Sequence, residues 1–289
     1  MRVVYLDNKW GDYRGMPSEY LPFLRKGVES AGDTFSLFDR KRKSPADLII
    51  SWNAAPSREC LLHAPRHLVM EAGHLGNRKE NFSFCFNELG SYGSPLRPES
   101  QLPGIGEKWY PLIQDTSDKE PKNMVIMGQC PEDRSMYALG FSGIGNRKED
   151  SKGRLGVYLN WVKGMATYWE SKGMNVRYKT HPFMGNKEKF ELALSRSGIK
   201  SFRCSMGEAI DWADAATAIC STALVECFLA GLFVVPTHSL AMTWPVRSSY
   251  GKWRQPTLLE KQEWLDWVSL RHVTAKEFEK EWGTLRENI

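Results

Sequence analysis

At 289 residues the chain can bury one large core or two ordinary ones. Its 42% hydrophobic and 25% charged composition is that of a soluble globular protein, and no apolar run reaches the roughly 18–20 residues that a membrane span requires. The formal charge of +5 is modest but unevenly placed, with a block at Arg40-Lys41-Arg42-Lys43 and shorter echoes at Arg78-Lys79 and Arg147-Lys148.

The first segment, Arg2 to Leu6, reads as a buried strand, too short and too soon polar for a signal peptide, so a cytoplasmic protein is expected. Ser18 to Ala31 follows as a helix despite Pro22, ended by Gly32. Asp47 to Trp52 and Arg66 to Glu71 are two further buried strands, each closing on polar residues, Asn53 and Glu71. Strand–helix alternation of this kind predicts a parallel sheet with helices on its faces and a ligand beyond the carboxyl ends of the strands.

From Gly90 to Lys122 the chain turns rich in Pro, Gly, Ser and charge, which suits a boundary. A second α/β unit then opens with the strand Asn123 to Met127 and the loop Gly128-Gln129-Cys130-Pro131. A helix from Leu155 to Ser171, a strand from Asn175 to Lys179 and a helix from Asn186 to Ser195 come next. The stretch Ala216 to Pro236 reads as strand, small-hydroxyl turn, short helix, glycine stop at Gly231 and second strand, and Leu258 to Glu287 reads as two amphipathic helices. The expected division is therefore 1–118, 119–257 and a C-terminal helical segment 258–289.

Three places bear chemistry. A helix opening on Ser221-Thr222 presents unpaired backbone N–H groups and two hydroxyls, a combination suited to a phosphate, with Glu226 one turn in and within reach of sugar hydroxyls. Lys179-Thr180-His181-Pro182 places a cation and an imidazole at a strand end, where they can hold a phosphate and hydrogen-bond a leaving oxygen; the alternative is an ordinary surface strand end. After the first strand of the same unit, the backbone N–H groups of Gly128 and Gln129 can approach phosphate oxygens. In the first unit Glu71, followed by Ala72-Gly73, is placed to accept a proton from an attacking hydroxyl or else to serve as a salt-bridged strand end.

Other chemistries lack their residues. There is no P-loop, no G-x-S-x-G, no H-E-x-x-H and no D-x-D pair, and Gly143-Ile144-Gly145 lacks the third glycine of a dinucleotide fingerprint. The six cysteines form no C-x-x-C pair and read as buried free thiols. His63 and His67 are four apart but separated by Pro65 and unaccompanied by a carboxylate, so no metal site is expected.

The order and spacing of these motifs resemble the two-domain glycosyltransferases of the GT-B fold. Lys179-Thr180-His181-Pro182 followed by Ser221-Thr222, Glu226 and Ala230-Gly231-Leu232-Phe233-Val234-Val235 looks like the HP and small-hydroxyl motifs of capsular-polysaccharide and sialyl-type transferases. Leu68 to Arg78, Asn87 to Gly90 and Trp264-Leu265-Asp266-Trp267 look like a phage-associated group of such enzymes. The resemblance implies two Rossmann-like domains with C-terminal helices bracing the first, and no tightly bound cofactor or metal. It implies a nucleotide-sugar donor, by commonness a UDP-sugar, with Ser221 and Thr222 on the phosphates, Glu226 on the ribose and Gly128-Gln129 in the donor loop. Lys179 and His181 would neutralise the departing nucleotide, and Glu71 would be the acceptor-side base. The family often has an acidic residue or an arginine beside that glutamate, where this chain has Ala72.

For the acceptor, the basic clusters Arg40 to Lys43 and Arg78-Lys79 point to DNA, with a hydroxymethylated pyrimidine flipped out of the stack to receive the sugar. A surface or capsular polysaccharide acceptor is the alternative, and an inactive nucleotide-binding module on the same fold is a third reading.

Overall fold

The computed structural model describes residues 1–6, 20–38, 45–52, 64–76, 80–86, 94–115, 120–131, 136, 150–238, 241–243 and 255–288. The chain divides into two compact units, Met1–Trp109 with Leu265–Ile289, and Tyr110–Trp264. Arg40 to Lys43, Asn53, His63, Arg78-Lys79, Asn87 to Gly90, Gly143 to Gly145 and Arg147-Lys148 lie outside the described residues.

The first unit is built on strands β1 (Arg2–Leu6), β2 (Thr34–Leu37), β3 (Leu48–Trp52), β4 (Arg66–Ala72), β5 (Asn81–Phe86), β6 (Ser94–Pro95) and β12 (His272–Thr274). Their order is β12-β5-β4-β3-β1-β2, with β6 also on β5. The expected parallel sheet is present in β2-β1-β3-β4. It does not extend further: β5 runs antiparallel to β4, and β6 and β12 run antiparallel to β5. β1 and β3 are buried along nearly their whole length, as strands covered on both faces must be, which is why they read as unbroken apolar runs.

Helix α1 (Leu21–Ser30) accommodates Pro22 in its first turn, where no intrahelical N–H bond is lost. The last helix of the chain (Ala275–Leu285, α7 in the numbering below) opens on a capping box of Thr274 and Glu277 and packs on α1. A Cβ on Gly27 would lie 2.8 Å from the Phe278 ring, so the two helices meet where one has no side chain. Phe278 stacks on Phe84 at 5.4 Å, and the Trp282 indole donates to Asp33 at 3.0 Å. The C-terminal segment thus braces the first unit through a helix and, in β12, through a strand. Two helices alone were expected there.

The second unit holds β7 (Asn123–Met127), α2 (Asp150–Glu170), β8 (Asn175–Lys179), α3 (Lys187–Ser195), β9 (Lys200–Phe202), α4 (Met206–Trp212), β10 (Ala215–Ala218), α5 (Ala223–Leu229) and β11 (Phe233–Pro236). Its sheet runs β11-β10-β7-β8-β9, and every pairing is parallel. The stop after α5 is Gly231 at φ 84°, a left-handed position that favours glycine. Helix α6 (Leu258–Ser269) begins in this unit, where Trp264 packs on Phe228 and donates to the Met242 carbonyl at 2.8 Å. Among the described residues no helix is long and apolar enough to cross a membrane.

Candidate functional site

In the second unit the strand order reverses between β7 and β10: the chain builds outward from β7 through β8 and β9, then returns to the other side for β10 and β11. Loops leaving neighbouring strands at such a point diverge to opposite faces and open a crevice at the carboxyl edge, where α/β sheets place their ligands. Four of the segments singled out from sequence end at this edge: Gly128-Gln129 after β7, Lys179-Thr180-His181 at the end of β8, Ser221-Thr222 after β10, and Glu226 in α5.

Gln129 ties the crevice together. Its buried side-chain oxygen accepts from the amides of Ile219 at 2.9 Å and Cys220 at 3.1 Å, and its Nε2 donates to Cys220 Sγ at 3.2 Å. These bonds fix the backbone that leads into Ser221. On the other side, the Gly128 amide donates to the Lys179 carbonyl at 2.8 Å. The β7 loop therefore locks the ends of both neighbours, β8 and β10, into one frame. The Gln129 amide donates to the Tyr158 hydroxyl at 2.9 Å, beneath the loop. Both backbone amides that were expected to face phosphate are thus engaged within the protein. What Gly128 and Gln129 supply is the floor.

Burial pushes the Tyr158 phenol up, against the hydrogen bonds from Tyr178 and from the Gln129 backbone, and burial raises Tyr178 as well. Two neutral phenols therefore underlie the loop. Tyr178 passes so close to Gly128 that a Cβ there would lie 2.7 Å from its hydroxyl, 2.5 Å from the Lys179 carbonyl and 2.7 Å from the His181 amide.

At the end of β8, His181 Nδ1 accepts from the Phe183 amide at 3.2 Å and lies 3.1 Å from Cys130 Sγ. An accepting Nδ1 leaves the proton of the neutral ring on Nε2. Thr180 donates to Glu191, and Arg203 Nε reaches the same carboxylate at 2.8 Å. Burial alone would raise Glu191, but the hydrogen bonds from Arg203 and Thr180 outweigh it and hold the carboxylate below its ordinary range. This arrangement anchors the turn before Pro182 and borders a cavity of about 350 Å³ lined by Lys179, His181, Lys187, Arg203 and Ser205 among others.

Ser221 and Thr222 precede α5, a two-turn helix. Thr222 makes no side-chain capping bond, and Ser221 Oγ accepts from the Ala223 amide at 3.2 Å. Both are half-buried, while Glu226 is exposed. Two interstrand spacings, about 10 Å, separate the ends of β8 and β10, with Gln129 between them. On the far side the His238 amide donates to the Ile219 carbonyl at 3.2 Å, and burial lowers its imidazole from the ordinary value.

Glu71 belongs to the first unit. It is half-buried near the end of β4, in register with Ser83 of β5, and its charge is felt by the buried Cys85 thiol, as is that of Arg271. Burial pushes Cys85 up to about 12. The residues beyond it are closely built: the His74 amide donates to His272 Nε2 at 2.7 Å. Arg40 to Lys43, Arg78 and Lys79, the tentative nucleic-acid contacts, lie outside the described residues. Among the described residues no group of three or more His, Cys, Asp or Glu side chains could hold a metal ion.

Sequence reasoning missed the clamp role of Gln129 and the partners Tyr158, Glu191, Arg203 and Cys130. Glu191 left a trace, since it sits between Phe190 and Leu194 on the buried side of α3, where a carboxylate requires a partner.

Two Rossmann-like α/β units in one chain, the first braced by the C-terminal helix α7 and by β12, form a glycosyltransferase-like fold of the GT-B type. Among solved structures the chain is similar to Thermosulfurimonas dismutans KpsC, beta Kdo 2,7 transferase, with a TM-score of 0.51 and 12% identity over 98% of this chain and 99% of that one. It is also similar to Thermosulfurimonas dismutans KpsC, beta Kdo 2,4 transferase, with a TM-score of 0.50 and 14% identity over 93% and 94%. At these identities the likeness is one of fold. No family model matches the sequence, and no curated protein matches it.

Proposed function

We propose that the protein is a glycosyltransferase that takes its sugar from a nucleotide donor, a UDP-sugar by commonness, and delivers it to a surface or capsular polysaccharide. The observation that carries this is the frame at the carboxyl edge of the second sheet, where one glutamine holds the turn before Ser221 and one glycine contact seats the strand end bearing Lys179 and His181. In this reading Ser221 and Thr222 bind the donor phosphates and Glu226 the ribose, over a floor of Gly128 and Gln129. An acceptor hydroxyl attacks the anomeric carbon as the bond to the nucleotide oxygen breaks, and its proton passes to Glu71. The negative charge building on the departing phosphate is met by Lys179 and by the Nε2–H of His181, so a metal ion is not required.

Glycan is preferred over DNA as the acceptor because both similar structures bear the names of sugar transferases acting with Kdo. The DNA reading rests on the basic runs of the sequence. Mass spectrometry of products separates the readings, after incubation of the protein with a panel of nucleotide sugars and either Kdo-containing oligosaccharide or hydroxymethylpyrimidine DNA. A sugar-mass adduct on the oligosaccharide is expected, persisting in EDTA and reduced about 100-fold or more by His181→Ala with unchanged circular dichroism. An adduct on DNA alone would replace the acceptor, loss in EDTA reversed by Mn²⁺ would overturn the metal-free mechanism, and donor binding without transfer to either acceptor would leave the inactive-module reading.

A further inference from the structure

Cys130 has no part in the donor contacts just described, yet it lies beside the imidazole of His181. Its backbone is set by its neighbour Gln129, whose amide is bonded to Tyr158 and whose side chain is bonded across to Ile219 and Cys220. Pro131 follows directly. The half-buried thiol is thus delivered from a rigid loop to a point 3.1 Å from His181 Nδ1. On the opposite approach, Nδ1 receives the Phe183 amide at 3.2 Å, a contact within the same turn as His181. Cys130 is therefore a contact from the loop after the neighbouring strand, whereas Phe183 belongs to the same turn as the ring.

We propose that Cys130 is a positioning residue: its S–H donates to His181 Nδ1, fixing the ring's orientation and, together with the Phe183 amide, holding the proton on Nε2, so that the imidazole presents an N–H to the departing oxyanion. The chemistry follows from valence. With two donors directed at Nδ1, the Nδ1–H tautomer would bring two or three hydrogens together, while the Nε2–H tautomer satisfies both donors. A neutral ring held this way serves as a hydrogen-bond donor without first acquiring a proton. The ionisable groups that feel this thiol include Tyr158 of α2 and Tyr178 of β8, both neutral through burial, with Glu191 of α3 acting on Tyr178. The remaining described cysteines do not offer this arrangement: burial raises Cys85, Cys204 and Cys227, and Cys220 receives the Gln129 amide.

The effect on turnover rests on the proposed transferase function, but the state of the ring does not. The test compares wild type with Cys130→Ser, which retains a hydroxyl donor, and Cys130→Ala, which removes it. ¹⁵N-resolved imidazole spectra are expected to show the Nε2–H form of His181 in all three proteins, because the Phe183 amide still donates to Nδ1, with the Nδ1 shift displaced in Cys130→Ala and close to wild type in Cys130→Ser. In sugar transfer, Cys130→Ala is expected to lower kcat about 10- to 100-fold with donor KM changed less than about threefold, and Cys130→Ser to restore most of it. Unchanged His181 nitrogen shifts in a folded Cys130→Ala protein would overturn the positioning claim, and so would wild-type kcat in that variant. Absence of transfer by wild type would instead overturn the functional reading, while the spectra still decide the positioning claim.

Discussion

Gly128→Ala is expected to cost the protein about 1–3 kcal/mol of stability and to lower donor-dependent activity by 100-fold or more. The reason is space. Gly128 is not among the glycines with positive φ, unlike Gly231, so an alanine suffers no backbone penalty there. Its methyl group would instead fall 2.5 Å from the Lys179 carbonyl and 2.7 Å from the His181 amide, both backbone atoms of the strand end bearing the proposed leaving-group contacts. Those atoms cannot rotate aside as a side chain can. Either β7 or β8 must shift, and either shift opens the 2.8 Å bond that joins them. Denaturant titration and nucleotide binding check this together. An alanine variant with wild-type stability and donor affinity would mean that the loop is not the rigid frame described.

The second large effect is in acid. His67 and His272 are both buried in the first unit, and burial lowers each to about 4; at His272 the Val268 carbonyl pulls the other way, while Arg271, Lys108 and Arg97 add to the lowering. His67 is bonded to Ser51 at 2.9 Å within the sheet, and His272 bridges the His74 amide and the Val268 carbonyl, an arrangement that requires a neutral ring protonated on Nδ1. In the unfolded chain both would titrate near 6.5. The native form therefore binds fewer protons between the two values, and its stability is full above pH 6.5 and declines as pH falls toward 4. With two such groups the slope approaches about 3 kcal/mol per pH unit, and the whole loss is about 7 kcal/mol, comparable to the stability of an ordinary domain. Unfolding monitored between pH 7 and 4 should show this decline well above the range in which carboxylates titrate. Stability that stays flat to pH 4.5 would contradict it.

Much of the fold was legible in the chain because buried parallel strands announce themselves. Val3 to Leu6, Leu48 to Ile50 and Met124 to Met127 are apolar runs closed by polar residues, and their strands fall within a residue or two of expectation. The strands that were missed exist for tertiary reasons. β12 is only His272-Val273-Thr274, too short for any periodicity, and it forms because β5 offers an unpaired edge. β5 itself alternates phenylalanine with asparagine, serine and cysteine that are also buried, so both of its faces are covered and the polar positions do not mark a solvent face. Helix α2 begins at Asp150, five residues before the expected start at Leu155.

The site divides in the same way. Lys179, His181, Ser221 and Thr222 were visible because each ends a strand or begins the turn after one. The clamp by Gln129 was not, since it depends on β10 being inserted beside β7, which no local pattern states. Nor could spacing alone reveal that Cys130 meets His181 across fifty-one positions of sequence.

The central claim is that a nucleotide sugar binds at the switch point of the second sheet. Backbone hydrogen exchange with and without a UDP-sugar, followed by mass spectrometry, tests it directly. Added protection is expected in peptides covering Gly128 to Pro131, His181 to Met184 and Cys220 to Val225, with little change along β9 or α4. Saturating donor that protects none of those three segments, or protects only peptides elsewhere, would contradict it.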